Sequence, residues 1–447
     1  MNPVKTKADN PYVAAFHQAT SFRNDEPAWL RDVRESSFSR FNEVGFPTVT
    51  EEEWKYTNVA AIARTDFAPV TQPNGTSLTK ERLQTWTYAE APARLVFVNG
   101  VFRPDLSTAA DLPNTVTAVD LKAAAANQEF ATVIREAFER QDTAINGFVA
   151  LNDALFTGGL FLKLQRNAIV ETPIQLLFVT EAVNGGQPAA SPRVVVHAGA
   201  NSSATIVESY ASEGDSAYLT NVVIDLQIED SAQIRHYKVQ RESAASFHIA
   251  TTKASLGPKA KYETTSINLG GAISRHNIDV VMDHEGAECA VDGLYMVEGS
   301  QHHDTHSVID HRQPHCTSRQ LYKGILDGKS RAVFNGKVFV RHGAQQTDAQ
   351  QTNKNLLLSN EAQVDTKPQL EIYADDVKCT HGAAIGQLEE DELFYLESRG
   401  INPALAKNML TYGFAEEVIE RIKIDSIKRE LDEAVLNRLH SEFQIEA

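Results

Sequence analysis

Two side chains that bind transition metals stand two positions apart late in the chain, Cys379 and His381. The residues around them, 371–388, alternate between apolar and polar, which predicts a β-strand. Side chains two positions apart on a strand point to the same face, so the thiol and the imidazole lie side by side. A closed tetrahedral site needs four ligands. The pair is therefore part of a transient metal site or of one completed by another chain, unless it is a packed cysteine beside a hydrogen-bonded histidine.

A second group of candidate ligands lies earlier in the chain. Seven of the 14 histidines fall between His276 and His315, most densely from His302 to His315. Strand alternation places His302, Asp304 and His306 on one face, where they would offer nitrogen and oxygen ligands to a first-row metal. The competing interpretation is a row of hydrogen-bonded polar side chains on the outside of a sheet.

Other motifs argue against common catalytic sites. The segment from Gly324 to Ser330 resembles a phosphate-binding loop, but one residue too few separates its glycines, and the next segment predicts a strand instead of the required helix. We interpret its glycines as a tight turn. Asp375 and Asp376 could serve a carbohydrate-active enzyme, but adjacent residues point to opposite strand faces. We expect a protein that is not an enzyme.

The composition narrows the class of protein further. A net charge of −17 over 447 residues argues against binding to nucleic acid or to anionic lipid. The three cysteines are far apart and in no CxxC arrangement, which fits a reducing compartment. Neither a signal peptide nor a membrane-spanning stretch is evident. We therefore expect a cytoplasmic protein without a membrane partner.

The first 150 residues predict a mostly helical region with one hairpin. Apolar residues recur at helical spacing around Phe16 and Leu30, and Thr50 with Glu53 resembles a capping box that starts a new helix near residue 50. Asn99 and Gly100 predict a two-residue hairpin turn. The alanine-rich residues 117–140 predict another helix.

Residues 151–387 contain short β-branched and aromatic runs without intervening amphipathic helices. Polar turn clusters recur about every 28 residues, a period typical of a solenoid. An antiparallel sandwich and a parallel β-helix both accommodate many short strands. We favour the β-helix, because the sandwich requires closely spaced two-residue hairpins and most of these strands lack them.

Residues 388–447 predict a small helical domain. Acidic residues 389–392 begin one helix, Gly400 ends it, and Asn402-Pro403 begins the next. Apolar residues then recur every four positions on a last helix, at Leu431, Val435, Leu439 and Phe443.

Several blocks of the sequence resemble the SufB/SufD family of iron-sulfur cluster assembly proteins. The block from Val364 to Gly382 is the longest, and further blocks lie at residues 46–57, 322–330, 356–359 and 393–401. Gly382 stands where SufB-type members typically carry glutamate, and the block holds a single cysteine. Both features point to the SufD branch.

The resemblance implies a mainly β fold, a right-handed parallel β-helix flanked by N-terminal and C-terminal α-helical regions. It also implies a SufB-like paralogue bound through the β-helix and a SufC-like ATPase bound through the C-terminal helices. Cys379 and His381 would lie at the interface with the paralogue. ATPase contacts are expected around these five residues: Leu393, Phe394, Tyr395, Leu396 and Met409.

The resemblance further implies a supporting role in iron supply and nascent cluster formation in the complex. We therefore expect no cofactor tightly bound to the lone chain and only a transient iron or iron-sulfur cluster in the assembly. The resemblance leaves open flavin binding and a homodimer when the paralogue is absent. The alternatives are a carbohydrate-active β-helix enzyme and a self-contained metal protein that uses the histidine cluster.

Overall fold

The computed structural model describes residues 11–20, 23, 25–71, 76–139, 146–182 and 186–440. The strands are β1 (Ala68–Pro69), β2 (Ala93–Val98), β3 (Val101–Phe102), β4 (Val116–Asp120), β5 (Gly159–Leu164), β6 (Ile174–Glu181), β7 (Pro188–Ala190), β8 (Arg193–Ala198), β9 (Ser203–Glu213), β10 (Leu219–Ile228), β11 (Gln233–Gln240), β12 (Phe247–Leu256), β13 (Lys261–Asn268), β14 (Ile273–Met282), β15 (Glu288–Val297), β16 (His302–His311), β17 (Thr317–Leu326), β18 (Arg331–Val340), β19 (Thr347–Leu357), β20 (Gln363–Ile372) and β21 (Val377–Gly386). The α-helices are α1 (Pro11–Thr20), α2 (Ala28–Val44), α3 (Ala60–Arg64), α4 (Lys80–Leu83), α5 (Leu121–Ala126), α6 (Gln128–Glu139), α7 (Gly147–Leu155), α8 (Glu390–Glu397), α9 (Pro403–Ile419) and α10 (Asp425–His440).

Strands β8 to β21 form a parallel β-helix. Even-numbered strands stack in one sheet, in the order β20-β18-β16-β14-β12-β10-β8, and odd-numbered strands from β21 back to β9 stack in the other. We call them the even sheet and the odd sheet. Every pairing among β5 to β21 is parallel, which confirms the β-helix and excludes the antiparallel sandwich. Side chains alternate between the lumen, enclosed by the two sheets, and the outer faces.

The recurring turns stack on one another at one corner of the β-helix. A left-handed residue occupies this corner in seven successive coils, at Asn167, Asn201, Ser231, Lys259, Gly286, His315 and Gln346. The backbone N–H of Asn201 donates to the carbonyl of Asp230 at 2.9 Å, and that of Ser231 donates to Pro258 at 2.8 Å. These bonds pair backbone groups of successive corners and so continue the stacking of the strands through the turns. The repeat in the sequence therefore has a repeated backbone geometry as its cause.

The N-terminal region contributes strands to both sheets. The predicted hairpin is confirmed, because β2 and β3 pair antiparallel around Asn99 and Gly100, which have φ values of 49° and 81°. Strand β2 also extends the odd sheet by pairing with β6, and β4 extends the even sheet by pairing with β5. The predicted helix over residues 117–140 begins only after β4 and is interrupted at Asn127, whose side chain accepts a bond from the Glu129 N–H.

The helix predicted near residue 50 is wrong. Only a single 3-10 turn, Glu52–Trp54, forms there. Trp54 is buried, with its ring 5.5 Å from the Phe148 ring and 3.7 Å from the Arg275 guanidinium carbon. Tertiary packing of this one side chain therefore holds the chain against the β-helix instead of allowing a helix to continue. We call residues 51–57 the N-terminal strap.

The C-terminal helices pack on the outer face of the odd sheet. Leu431 and Val435 are buried, as their spacing predicted, whereas the Leu439 side chain and Phe443 lie outside the described residues. The predicted stop and start between α8 and α9 are confirmed: Gly400 has a φ of 84°, and the Asn402 side chain accepts from the Ala404 N–H. None of the described helices has the length and apolar character needed to cross a membrane.

The predicted domain boundaries fall close to changes in architecture. Helix α7 crosses residue 150, strands β5 to β21 lie within 151–387, and α8 to α10 follow residue 388. Strands β2 and β4 nevertheless tie the first 150 residues to the same two sheets. That the three ranges are separate domains stays a prediction.

Candidate functional site

Cys379 and His381 lie on β21, the last strand of the odd sheet. The register aligns Cys379 with Ala349 and His381 with Gln351, both of which are buried in the preceding coil. The two side chains therefore belong to the lumen-facing side of a strand that has no further coil stacked on it. Ala383 and Ile385 continue the same side. The predicted juxtaposition of the thiol and the imidazole follows directly from this strand geometry.

The two candidate ligands have different environments. Cys379 is half-buried and packs against the main core, whereas His381 is exposed. Burial raises the pKa of the Cys379 thiol, so it is protonated at neutral pH unless a metal or a cation displaces the proton. Cys289 and Cys316 are buried, and burial raises the pKa of both thiols. They are poor candidates for reactive groups.

The end of the β-helix is open among the described residues. No described strand pairs with the outer edges of β20 and β21, although each is ten residues long. A Cβ atom added at Gly382 or Gly386 would meet no heavy atom within 4 Å. Long unpaired edges attract another strand unless they are protected. This end is therefore a candidate surface for pairing with another chain.

The outer edges of β20 and β21 differ in one backbone N–H donor. Gln363 and Tyr373 of the even-sheet end donate their N–H groups to the preceding coil. Because N–H groups alternate in direction along a strand, position 368 faces the open edge. Pro368 occupies it and has no N–H to offer. The edge of β21 contains no proline, so it has a full set of donors.

Among the described residues, Cys379 and His381 are too few to form a closed metal site. The part of the chain that the structure describes contains no group of three or more His, Cys, Asp or Glu side chains placed to hold a metal ion. A thiolate and an imidazole are suitable ligands for zinc or iron. Further ligands would have to come from outside the described residues.

The structure places His302, Asp304 and His306 on one face, as alternation predicted, but their polar atoms are already engaged. Asp304 pairs with Arg275 at 2.7 Å and accepts a hydrogen bond from the Thr57 hydroxyl at 2.5 Å. His302 Nε2 lies 2.9 Å from the same hydroxyl, and His306 Nδ1 lies 3.0 Å from Asp304. We call this group the strap cluster, because it fixes the N-terminal strap to the even sheet.

The charges of the strap cluster explain its pKa shifts. Burial alone would raise the pKa of Asp304, but the Arg275 charge and hydrogen bonds from His306 and Thr57 bring it well below its usual value. A hydrogen bond from His306 is the main cause that lowers the pKa of Glu53 to about 2. Both carboxylates are therefore ionised at neutral pH, and they serve as partners of cations in this fold. The arrangement supports a structural role.

The two glycines of the segment that resembles a phosphate-binding loop, Gly324 and Gly328, are required for different structural reasons. Gly328 lies in a turn with a φ of 62°, as predicted, and β18 follows it without a helix. Gly324 is not in a turn: it lies within β17, where a Cβ atom would come within 2.1 Å of the Tyr295 ring. Asp375 and Asp376 are exposed in the bend between β20 and β21.

Helix α8 and the start of α9 leave six apolar side chains exposed or partly exposed. Phe394, Tyr395 and Met409 are 71%, 56% and 47% exposed, and Leu393 and Leu396 are partly exposed beside them. Leu405, 47% exposed, is the sixth. Clustered exposed apolar residues mark interaction surfaces more often than isolated ones do. We call these six residues the helix patch.

The other side of these helices is fixed to the odd sheet by polar contacts. Lys323 donates to the Phe414 carbonyl at 2.7 Å and pairs with Glu417 at 2.6 Å. Arg421 pairs with Asp292 at 2.9 Å. The C-terminal half of α9 is therefore anchored, while its first turns and α8 present the helix patch outwards.

Sequence reasoning missed two residues of these surfaces. Ile385 is 50% exposed on the same side of β21 as His381, and strand alternation from Cys379 would have identified it. Leu405 lies four positions before Met409, a helical spacing that would have placed both side chains on one face.

Comparison with known proteins agrees with the fold and the blocks described above. A model of the SufBD protein N-terminal region matches residues 6–176, and a model of the SufBD core domain of SUF-system iron-sulfur cluster assembly matches residues 178–414. An iron-sulfur cluster assembly SufBD family protein of Synechocystis is 35% identical over 442 residues, covering 96% of each chain.

Two proteins named SufD are also similar. The Escherichia coli protein is 31% identical over 398 residues, covering 88% of this chain and 90% of its own. The Bacillus subtilis protein is 26% identical over 438 residues, covering 96% and 97%. Both family models together match most of the chain. This chain therefore belongs to the SufBD family of iron-sulfur cluster assembly proteins.

Proposed function

We propose that this chain is a SufD-type subunit, without enzymatic activity of its own, in a complex with a SufB-like paralogue and a SufC-like ATPase. The observation that carries the proposal is the open last coil, where Cys379 and His381 lie on a strand whose outer edge has no partner among the described strands. The complex would use this end to support iron supply and nascent cluster formation. Iron and the cluster are cargo, and neither is a resident cofactor of the lone chain.

The pairing with the paralogue follows from the exposed backbone of the last coil. A strand edge can be continued by a strand of another chain, which gains main-chain hydrogen bonds along its length. The β21 edge offers this pairing next to His381, and Ile385 adds apolar area to the same side. Ligands from the paralogue would complete the set that Cys379 and His381 begin.

The ATPase would bind the helix patch. Its aromatic residues, Phe394 and Tyr395, are the type of side chain that contributes most to binding at protein interfaces. A cleft of about 290 Å³ lies between the last coil and these helices, lined by Ile385, Leu410 and Phe414 among others. The ATPase site and the paralogue site are thus neighbours, and movement of one partner could be transmitted to the other.

Two substitutions separate the two interfaces. Ile385→Asp should weaken co-purification with the paralogue and leave the ATPase bound, because it places a charge on the last coil. Phe394→Asp should have the opposite effect. Ile169→Asp is the matched control, since Ile169 is 62% exposed far along the β-helix from the last coil. Equal binding by all three variants would contradict both assignments.

Analysis of the lone chain tests the remaining parts of the proposal. We expect less than stoichiometric metal, no tightly bound flavin, and no product from candidate substrates without the partners. Light scattering should detect a homodimer only through the same end, so Ile385→Asp should reduce it. The three cysteines are unpaired, which suits work in the reducing cytoplasm.

A further inference from the structure

The lumen of the β-helix contains a buried group of charged side chains. Lys238 Nζ lies 2.8 Å from His248 Nε2, and the other ring nitrogen of His248 lies 2.7 Å from Glu242. Glu208 pairs with His236 at 2.8 Å nearby. All five residues are at most 5% exposed. Burying charges is costly, so such groups persist only where their hydrogen bonds are satisfied.

Hydrogen bonds lead from this group towards the later coils. Gln240 donates to Glu242 at 3.0 Å and accepts from the Asn268 amide. Asn268 also donates to Ser274 at 3.0 Å, and the Ser274 hydroxyl lies 2.9 Å from His303 Nδ1. We call this chain of contacts, from Lys238 to His303, the inner network.

A second set of lumen hydrogen bonds reaches the last coil. The Tyr295 hydroxyl donates to Asn355 at 2.5 Å, and Asn355 donates to Asn353 at 2.7 Å. Thr366 of β20 donates to the same Asn353 oxygen at 2.8 Å. We call this the terminal network. Its first member, Tyr295, lies beside the last member of the inner network, with ring centroids of Tyr295 and His303 4.8 Å apart.

A small void separates the two networks. It is lined by His303 of the inner network, by Tyr295 of the terminal network and by Ser266, His276 and Tyr322 beside them, and it leaves about 10 Å³ for the centre of a water molecule. That is roughly the space that one buried water requires. Gly293 keeps the space for the Tyr322 ring, because a Cβ atom there would come within 2.1 Å of it.

The Tyr322 hydroxyl has a donor and acceptor to satisfy at this void. Tyr322 is 1% exposed, and no contact of its hydroxyl with a described nitrogen or oxygen has the distance and angles of a good hydrogen bond, although Ser266 is near enough to act on it. Ser266 lines the same void, and its hydroxyl is 2.9 Å from His276 Nδ1. A polar wall of this kind differs from the apolar cavities that stay dry.

We propose that this void is a binding site for one ordered water molecule, held by the Tyr322 hydroxyl and by polar groups of the opposite wall. The water bridges the Tyr322 hydroxyl to the Ser266–His276 pair, in the space between the inner and terminal networks. The proposal does not depend on the identity of any partner, because every group in it belongs to this chain.

Crystallography of the full chain, at a resolution that shows ordered water, tests the proposal directly. We expect a density peak within about 3.2 Å of the Tyr322 oxygen, the upper limit for a good hydrogen bond. An empty void, or a Tyr322 hydroxyl bonded directly to Ser266, would overturn it.

The direction in which Tyr322→Phe shifts the urea unfolding midpoint gives a second test. If the water is present, the variant loses one of its bonds and unfolds at lower urea concentration than the parent. In a dry void, removal of an unpartnered hydroxyl leaves the midpoint unchanged or raises it, and that result would refute the proposal. Tyr295→Phe is the matched control, because its hydroxyl bonds directly to Asn355 and its loss should lower the midpoint in either case.

Discussion

Replacing Asp304 with asparagine should strongly destabilise the contact between the N-terminal strap and the β-helix. Asp304 and Arg275 are 1% and 2% exposed at the side chain and lie 2.7 Å apart. The substitution is nearly isosteric, so packing is kept while the negative charge is lost. Arg275 would then remain charged and buried without its carboxylate partner. It would keep its hydrogen bond to the backbone carbonyl of Glu53 in the strap, at 2.7 Å.

The expected cost is about 3 kcal/mol at neutral pH. Breaking a buried ion pair by removing one partner costs about 3–5 kcal/mol, and the asparagine oxygen can still accept one bond, which favours the lower value. A cost of this size changes the folding equilibrium constant more than a hundredfold, at about 1.4 kcal/mol per factor of ten. The double variant Asp304→Asn with Arg275→Met should cost less than the sum of the single changes, because no unpaired charge remains.

Urea unfolding followed by tryptophan fluorescence measures this effect, since Trp54 contacts Arg275. Asp375→Asn is the matched control, because Asp375 is exposed and surface changes usually stay within about 0.5 kcal/mol. An Asp304→Asn midpoint equal to that of the control would refute the structural role of the strap cluster. If stoichiometric metal were present on the parent chain and lost in Asp304→Asn, the metal-site interpretation would be restored.

Three further predictions follow from the same contacts. The difference in unfolding free energy between the parent and Asp304→Asn should shrink in acid. Because the pKa of Asp304 is lower in the folded state, the stability that its carboxylate contributes is complete above the unfolded pKa of about 4 and is lost progressively as the pH falls below that value. An unchanged difference between pH 7 and pH 3 would contradict this. Thiol titration of the native chain should detect only Cys379, which should react slowly because its pKa is raised. After unfolding, all three cysteines should react. Rapid reaction of Cys289 or Cys316 in the native chain would show that the lumen is accessible. Lys323→Met should increase hydrogen exchange in the C-terminal half of α9, with a loss of about 1–3 kcal/mol from the lost charged hydrogen bonds; unchanged exchange would show that apolar packing alone anchors the helix.

The β-helix was predictable because its sequence repeats a single local structure. Each coil contributes two strands with alternating side chains and one left-handed corner, so the strand runs and the turn spacing both carry the signal. The pairing of Cys379 with His381 was predictable for the same reason, since it depends only on strand alternation.

Features decided by distant contacts were not predictable. The sequence around Thr50 satisfies a capping pattern, yet burial of Trp54 against Phe148 and Arg275 ends the turn after three residues. Likewise, nothing near Gly324 in the sequence indicates that the Tyr295 ring from the previous coil lies over it. Such contacts join residues that are tens to hundreds of positions apart, and single-sequence periodicity contains no information about them.

The histidine cluster shows how a correct local prediction can have a different meaning. His302, Asp304 and His306 do share one face, but Thr57 and Arg275 already pair with the polar atoms of His302 and Asp304. Ligand type and strand spacing could not distinguish a metal site from an anchor for the N-terminal strap, because the anchoring residues lie elsewhere in the chain.

The central claim, that His381 on the open last coil acts in cluster assembly with the partners, is tested most directly by His381→Ala in the reconstituted complex. His284→Ala is the matched control, an exposed histidine in the bend between β14 and β15. We expect His381→Ala to assemble with both partners but to form far less iron-sulfur cluster than the parent, while His284→Ala forms as much as the parent. Undiminished cluster formation by His381→Ala would contradict the account.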